Sequence, residues 1–422
     1  MHRKTKLDNG LRVVTNRMPG MRSVAIGIWI KVGGRYENEK NKGISHYLEH
    51  LLFKGSKKYS CRKLKEAIEG VGGSLNGFTS EELTCYLAKL PHQYLNLGLD
   101  VLADMALNPL LPEAEVEKER TVILEELKMY KDQPQSHVYD LLDELLWPKQ
   151  ILGMNIIGSF ETIGAIKRGD LQAYKLRHYT PLNIVVSVAG LLEEEPLVKK
   201  IKEIFVHSGK ENINSFMPAV VSQARPQLKV FDKATEQTHL ALGFHSLERE
   251  HPLKYAQGLL HVILGANMSS RLFEKVREKK GLAYEIGTQV KRFQDTGAFL
   301  VHAGIDNRKV LKAVELILAE LDKIKKNPVS ADELKRAKDF YLGQTELALE
   351  DTLDHMLWIG ESMSLSDKIY TLEEITKGIR AVTREDIREL ARQIFKEEGL
   401  NLALIGPLKN SEQEIFRRLR LN

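Results

Sequence analysis

The order of predicted elements in the first 200 or so residues begins again after residue 227, and a repeat of this kind limits the chain to two copies of one architecture. The strand-like "THLALGF" (238–244) stands where "SVAIGIW" (23–29) stood. The helical "YAQGLLHVILGA" (255–266) stands where a first helix over 44–54 stood. "GLAYEIGTQVKRFQDTGAFLVHAGI" (281–305) matches "GGSLNGFTSEELTCYLAKL" (72–90) in order and type. The segment 306–347 parallels a helix, a proline-marked turn and a long helix of the first half. Between the copies, residues 207–227 are polar, carry two prolines and follow neither helical nor strand period, which reads as a connection. The expected division is a domain over 1–208, a linker over 209–225 and a second domain over 226–422, each domain of ordinary size. The fold class is α+β.

Within the first copy, "MHRKTKLDNGLRVV" reads as strand–turn–strand with Asn9-Gly10 as the turn, and "LRVVTNRM" and "SVAIGIWIKVG" read as strands. Helices are expected at 44–54, 60–70, 92–107, 136–147 and 169–178, and a buried strand at 183–190. Pro112 opens a long acidic helix, at a position where its missing N–H costs nothing. Hydrophobic residues make up 43% of the chain and charged ones 28%, enough apolar material for two cores. The 62 basic residues barely exceed the 57 acidic ones, so no nucleic-acid partner is expected. Cys61 and Cys85 form no disulfide framework and suit a reducing compartment. With no apolar run of membrane-spanning length and no presequence pattern, the expected location is the cytoplasm, without a membrane partner.

The chemistry gathers in "HYLEH" (46–50). His46 and His50 are one helical turn apart on one face, and Glu49 lies on that face too. Two neutral imidazoles so placed can hold one zinc ion, with the carboxylate beside the metal and not bound to it. HxxEH is the inverzincin signature. A catalytic zinc needs a third protein ligand. In the long acidic helix the apolar stripe runs Val116, Ile123, Leu127, Tyr130; Glu119 and Glu126 fall beside it, whereas Glu125 points to solvent. An inward carboxylate is expensive unless paired or metal-bound, which favours Glu126 over its neighbour. A salt-bridged helix edge is the other reading of Glu119 and Glu126.

Together with "GISHYLEHLLFKGS", "GGSLNGFTSEELTCY", "NPLLPEAEVEKERTVILEELKMYKDQP" and "YTPLNIVVSVAG", this pattern resembles the pitrilysin-type (M16) inverzincin metallopeptidases over nearly the whole chain. The likeness is to their short branch, which includes the mitochondrial processing peptidase beta subunit and its bacterial homologues. The resemblance implies a zinc-dependent endopeptidase, with His46, His50 and Glu126 holding one Zn2+ per chain. It makes Glu49 the general base and Glu119 the supporting carboxylate. It also implies two similar α/β-sandwich halves, each a mixed and largely antiparallel sheet with helices packed on it. "GGSLNGF" lacks the GxGxxG spacing of a phosphate loop. By resemblance it turns into an edge strand near the zinc, where Asn76, Phe78 and Thr79 could hold a peptide by strand addition.

The second copy has no metal motif, since its matching helix holds only His261, which reads as a core or helix-edge histidine. By resemblance, Arg277 and Tyr284 in "RLFEKVREKKGLAY" are the pair that faces the zinc and serves the substrate carbonyl, with Arg271 a further neighbour. The plain alternative is cations favoured at a helix C-terminus, followed by a buried tyrosine. By the same resemblance, a two-domain chain carrying both parts is expected to close as a clamshell homodimer around a peptide substrate. A heterodimeric processing peptidase with a similar chain lacking HxxEH, or a non-catalytic scaffold subunit, are the alternatives.

Overall fold

The computed structural model describes residues 2–206, 215–409 and 411–421. The chain forms two compact units: Met1–Leu127 with Asn155–Met217 and Glu346–Tyr370, and Lys128–Met154 with Pro218–Thr345 and Thr371–Asn422. Each holds one sheet. The first has strands β1 (His2–Lys6), β2 (Arg12–Arg17), β3 (Ser23–Ile30), β4 (Ser74–Thr79), β5 (Thr84–Pro91) and β6 (Ile184–Gly190) in the order β1-β2-β6-β3-β5-β4. The second has β7 (Gln227–Asp232), β8 (Gln237–Ser246), β9 (Ala283–Arg292), β10 (Gly297–Asp306) and β11 (Asn401–Gly406) in the order β7-β11-β8-β10-β9.

These two orders are one order. Matching β2, β3, β4, β5 and β6 to β7, β8, β9, β10 and β11 superimposes them, and β1 is the extra strand. The single parallel pairing of each sheet, β2 with β6 and β7 with β11, falls at the same place. The repeat expected from sequence is thus present strand by strand, and the mixed, largely antiparallel sheets with helices packed on them are those expected. The turn at Asn9-Gly10 joins β1 to β2, with Gly10 at φ +89° and Leu11 N–H donating to Asn9 Oδ1. "GGSLNGF" is less a turn than strand: β4 occupies Ser74–Thr79.

In the first half the helices are α1 (Ile44–Leu52), α2 (Cys61–Glu69), α3 (Leu95–Leu107), α4 (Glu113–Asp132) and α5 (Pro134–Leu146), near their expected places. Strands β3 and β6 are apolar almost without interruption and buried along nearly their whole length. Such strands need cover on both faces. On one face α3 lies close, with Gly98 against Ile26 and Leu90. The other face takes the helix Thr352–Leu365, which packs Met356, Ile359 and Met363 onto Val14, Ala25, Trp29, Val185 and Ala189. A Cβ at Gly360 would meet Trp29 Nε1 at 2.1 Å, so only glycine allows this approach. In the second unit α5 does the equivalent, setting Val138, Leu141, Leu142 and Leu146 against Ala241, Ala298, Leu300, Ala403 and Ile405. Each buried aliphatic side chain of these seams contributes about 1.5–3 kcal/mol.

The compact units therefore depart from the contiguous stretches 1–208 and 226–422. The helix that follows the long helix in each sequence half belongs to the compact unit whose sheet comes from the other sequence half. Both sheets need that second apolar layer, and the amphipathic pattern of a helix does not say which sheet it will cover. Residues 207–214 of the expected connection lie outside the described residues; 215–226 form neither helix nor strand. No helix among the described residues is long and apolar enough to cross a membrane.

Candidate metal centre

The centre is built on α1 and α4. Gly43, the N-cap of α1, has φ +95°, and a Cβ there would lie 2.2 Å from the Ile157 carbonyl oxygen. The buried Glu37 carboxylate caps the helix, accepting from Gly43 N–H at 2.9 Å and Ser45 N–H at 2.8 Å, with Lys42 Nζ 3.6 Å away. The Tyr47 hydroxyl donates to the Val116 carbonyl and ties α1 to α4. The α1 entry is thus fixed by a left-handed glycine and an ionic cap. Gly43→Ala is expected to destabilise the protein by about 1–3 kcal/mol through backbone strain, before any steric cost. Chemical denaturation measures this, and a variant as stable as the wild type would refute it.

On the face of α1 toward α4, the His46 and His50 rings lie 4.6 Å apart between centroids, tilted by 60°. Glu126 Oε2 sits between them, 3.7 Å from His46 Nε2 and 3.6 Å from His50 Nε2. Two donors each about 2.1 Å from a common zinc ion at the tetrahedral angle stand about 3.4 Å apart. The spacing therefore suits one ion and is too long for hydrogen bonds. Glu126 Oε2 is buried with no hydrogen-bond donor, an arrangement that costs free energy unless a cation shares the space. These three residues are the one group of at least three His, Cys, Asp or Glu side chains among the described residues with the spacing to hold a metal. Glu125, the neighbour, is exposed.

Electrostatics favour the same chemistry. Burial, assisted by the neighbouring His50, pushes His46 down to about 3, which keeps its imidazole neutral and able to donate a lone pair. Burial raises Glu126, with His50 opposing. Glu49 is also raised, chiefly by burial, although the Thr79 hydroxyl donating to its Oε2 at 2.8 Å pulls the other way. A raised carboxyl is better matched to taking up a proton near neutral pH. Glu119 is buried behind His50, with Oε2 3.2 Å from His50 Nδ1 and Oε1 2.6 Å from Lys54 Nζ. Sequence reasoning did not single out Lys54. The available signal was its position four residues after His50, the spacing of about one helical turn.

Of the expected substrate-binding residues, Thr79 reaches Glu49. Asn76 and Phe78 lie on the opposite, exposed face of β4, which is the terminal strand of its sheet. Asn76 Oδ1 accepts from Gly77 N–H, and the Phe78 ring meets Trp29 edge-on at 5.9 Å. Arg277 and Tyr284 belong to the second unit. Arg277 lies on a π-helical turn, Phe273–Glu278, with its guanidinium over the rings of Phe273 and Tyr284. Tyr284 is 75% exposed and not the buried tyrosine of the plain alternative. Arg271 is taken up by a bidentate pair with Glu333, both bonds at 2.7 Å. His261 is held by Thr288 at 2.7 Å inside the second unit.

The chain matches the description Insulinase (Peptidase family M16) over residues 12–159 and Peptidase M16 inactive domain over residues 165–341. It is 38% identical to the uncharacterized zinc protease YmxG of Bacillus subtilis, covering 97% of this chain and 99% of that one. A second zinc protease, from Streptomyces coelicolor, is 36% identical, with 97% and 90% covered. Among solved structures, a protease from Helicobacter pylori superposes with a TM-score of 0.91 at 24% identity, covering 96% of this chain and 99% of that one. An M16 inactive-domain protein from Pseudomonas fluorescens does so at 0.88 with 17% identity, covering 96% and 98%.

Proposed function

This chain belongs to peptidase family M16, and from that premise we propose that it is a zinc endopeptidase cutting peptides or unfolded polypeptide segments. In this reading His46, His50 and Glu126 hold the metal and Glu49 is the general base. The single observation that carries it is the Glu126 oxygen set between two Nε2 atoms without a hydrogen-bond donor. A scaffold subunit has no need of so costly an arrangement.

Zinc held by these three side chains would supply Lewis acidity toward a water and the scissile carbonyl. Glu49 is placed to take up a proton from the attacking water and to return one to the leaving amine. The Thr79 hydroxyl holds the Glu49 carboxylate by its Oε2 and leaves Oε1 for the proton. Glu119 accepts from His50 Nδ1 and so fixes the imidazole that binds. A peptide added along the free edge of β4, past Asn76 and Phe78, is gripped by its backbone, which suits sequence-tolerant cleavage. Arg277 and Tyr284 supply the donors for the substrate carbonyl. In a C2 homodimer enclosing the substrate, each copy lends that pair to the other copy's centre.

The test is incubation of the purified chain with a mixed peptide library, with and without chelator, and mass spectrometry of the products. Zinc content is measured on the same sample. One zinc per chain is expected, together with internal cleavages that stop on chelation and return with added zinc. Cleavage indifferent to the chelator, or a protein that takes up no zinc, would overturn the proposal.

A further inference from the structure

The two helices of the centre meet as a ladder that extends one step beyond the residues assigned so far. On α1 and its C-terminal turn, His46, His50 and Lys54 follow one another at four-residue intervals and lie on one face. On α4, Glu126 and Glu119 are seven apart, also on one face. Glu126 sits between His46 and His50, and Glu119 between His50 and Lys54, so the helices run antiparallel and the carboxylates fill successive gaps. His50 is the shared rung: its Nε2 faces Glu126 and its Nδ1 faces Glu119.

Glu119 is only 3% exposed, and both its oxygens are engaged, Oε1 by Lys54 and Oε2 by His50. A carboxylate accepts and does not donate, so the bond to His50 requires the proton on Nδ1 and leaves Nε2 free to bind. That bond forms only while the Glu119 carboxylate is turned with Oε2 toward the imidazole. The ammonium at 2.6 Å fixes the turn by taking the other oxygen. Lys54 is itself mostly buried, its side chain 20% exposed, and sits at the C-terminal end of α1, where the helix dipole favours a cation. A lysine placed only for solubility would extend into water.

We propose that Lys54 is a positioning residue for the metal centre: it orients the Glu119 carboxylate, and through it the tautomer and plane of the His50 imidazole. The proposal rests on the reading of His46, His50 and Glu126 as metal ligands. Lys54 touches neither substrate nor metal in this scheme, and its effect is felt through His50 alone.

A double-mutant cycle on the full-length protein tests it. Zinc affinity is measured by competition with a chromophoric chelator for the wild type, Lys54→Met, Glu119→Gln and the double variant. The visible bands of the cobalt(II)-substituted proteins then report ligand geometry. Lys54→Met, which removes the ammonium and keeps an unbranched apolar stem one atom shorter, is expected to weaken zinc about 10–100-fold, the usual loss on removing an outer-shell partner. It should also shift the cobalt bands. In the Glu119→Gln background the same substitution is expected to add little, because the path through Glu119 is already broken. A Lys54→Met protein with wild-type affinity and cobalt spectrum overturns the proposal. So does a double variant whose losses multiply, the mark of an independent structural role. A wild type that binds no zinc instead removes the ligand assignment beneath both readings, which keeps the two failures distinct.

Discussion

Glu49→Gln is expected to lose about 10²–10⁴-fold in kcat, the range associated with a positioned general base, while binding zinc as the wild type does. The substitution changes little besides the proton acceptor. Gln has the shape of Glu, and its carbonyl oxygen still accepts from the Thr79 hydroxyl that meets Glu49 Oε2. Glu49 is not one of the three side chains spaced to hold a metal, so the proposed ligand set is preserved. An amide cannot take a proton from water at neutral pH, and nothing else on the exposed side of the site replaces it in this scheme. The measurement is kcat and KM on an internally quenched peptide at saturating zinc, with metal content determined alongside. A variant that turns over at the wild-type rate would remove Glu49 from the mechanism, whatever the zinc content.

The second large effect separates two adjacent glutamates. Glu126→Gln is expected to weaken zinc by more than the roughly 100-fold at the upper end of outer-shell losses, since in the proposed centre it replaces an anionic ligand with a neutral amide. Peptide cleavage should fall with it at limiting metal. Glu125→Gln, one residue away, should change neither zinc affinity nor activity, and should move stability by no more than about 0.5 kcal/mol. The contrast follows from a helix advancing about 100° per residue: Glu125 faces solvent while Glu126 turns toward His46 and His50. Zinc competition on the two single variants decides the matter. Equal affinities would sink the ligand assignment, and a larger loss from Glu125→Gln would reverse it.

Both contrasts could be written from the sequence because they depend on local periodicity. The period of an α-helix puts His46, Glu49 and His50 on one face, and the same period sets Glu126 beside the stripe of Val116, Ile123 and Leu127, all three of which are buried. The repeat was legible for a related reason. Strand order is written in the succession of elements, so two stretches with the same succession build the same sheet, here with matching parallel pairs. By contrast, the edge strand in "GGSLNGF" was read only through the family resemblance, because three glycines in seven residues weaken any strand signal. Pairing with β5 from Ser74↔Lys89 to Thr79↔Thr84 overrides that weakness.

By itself the sequence determined which side chains share a helix face, which segments recur and which pattern of residues suits zinc. These depend on backbone geometry a few residues at a time. The tertiary structure alone decided what stands opposite each face. It placed α5 on the second sheet and Thr352–Leu365 on the first, a choice made by the fit of apolar surfaces remote in sequence. It brought Glu37 to the start of α1 as an ionic cap. It also set Glu119 between His50 and Lys54, across helices whose partnership no local period encodes. Contacts between elements arise from burying surface and pairing charge in three dimensions, so a residue such as Lys54 shows its part only when the opposite helix is in place.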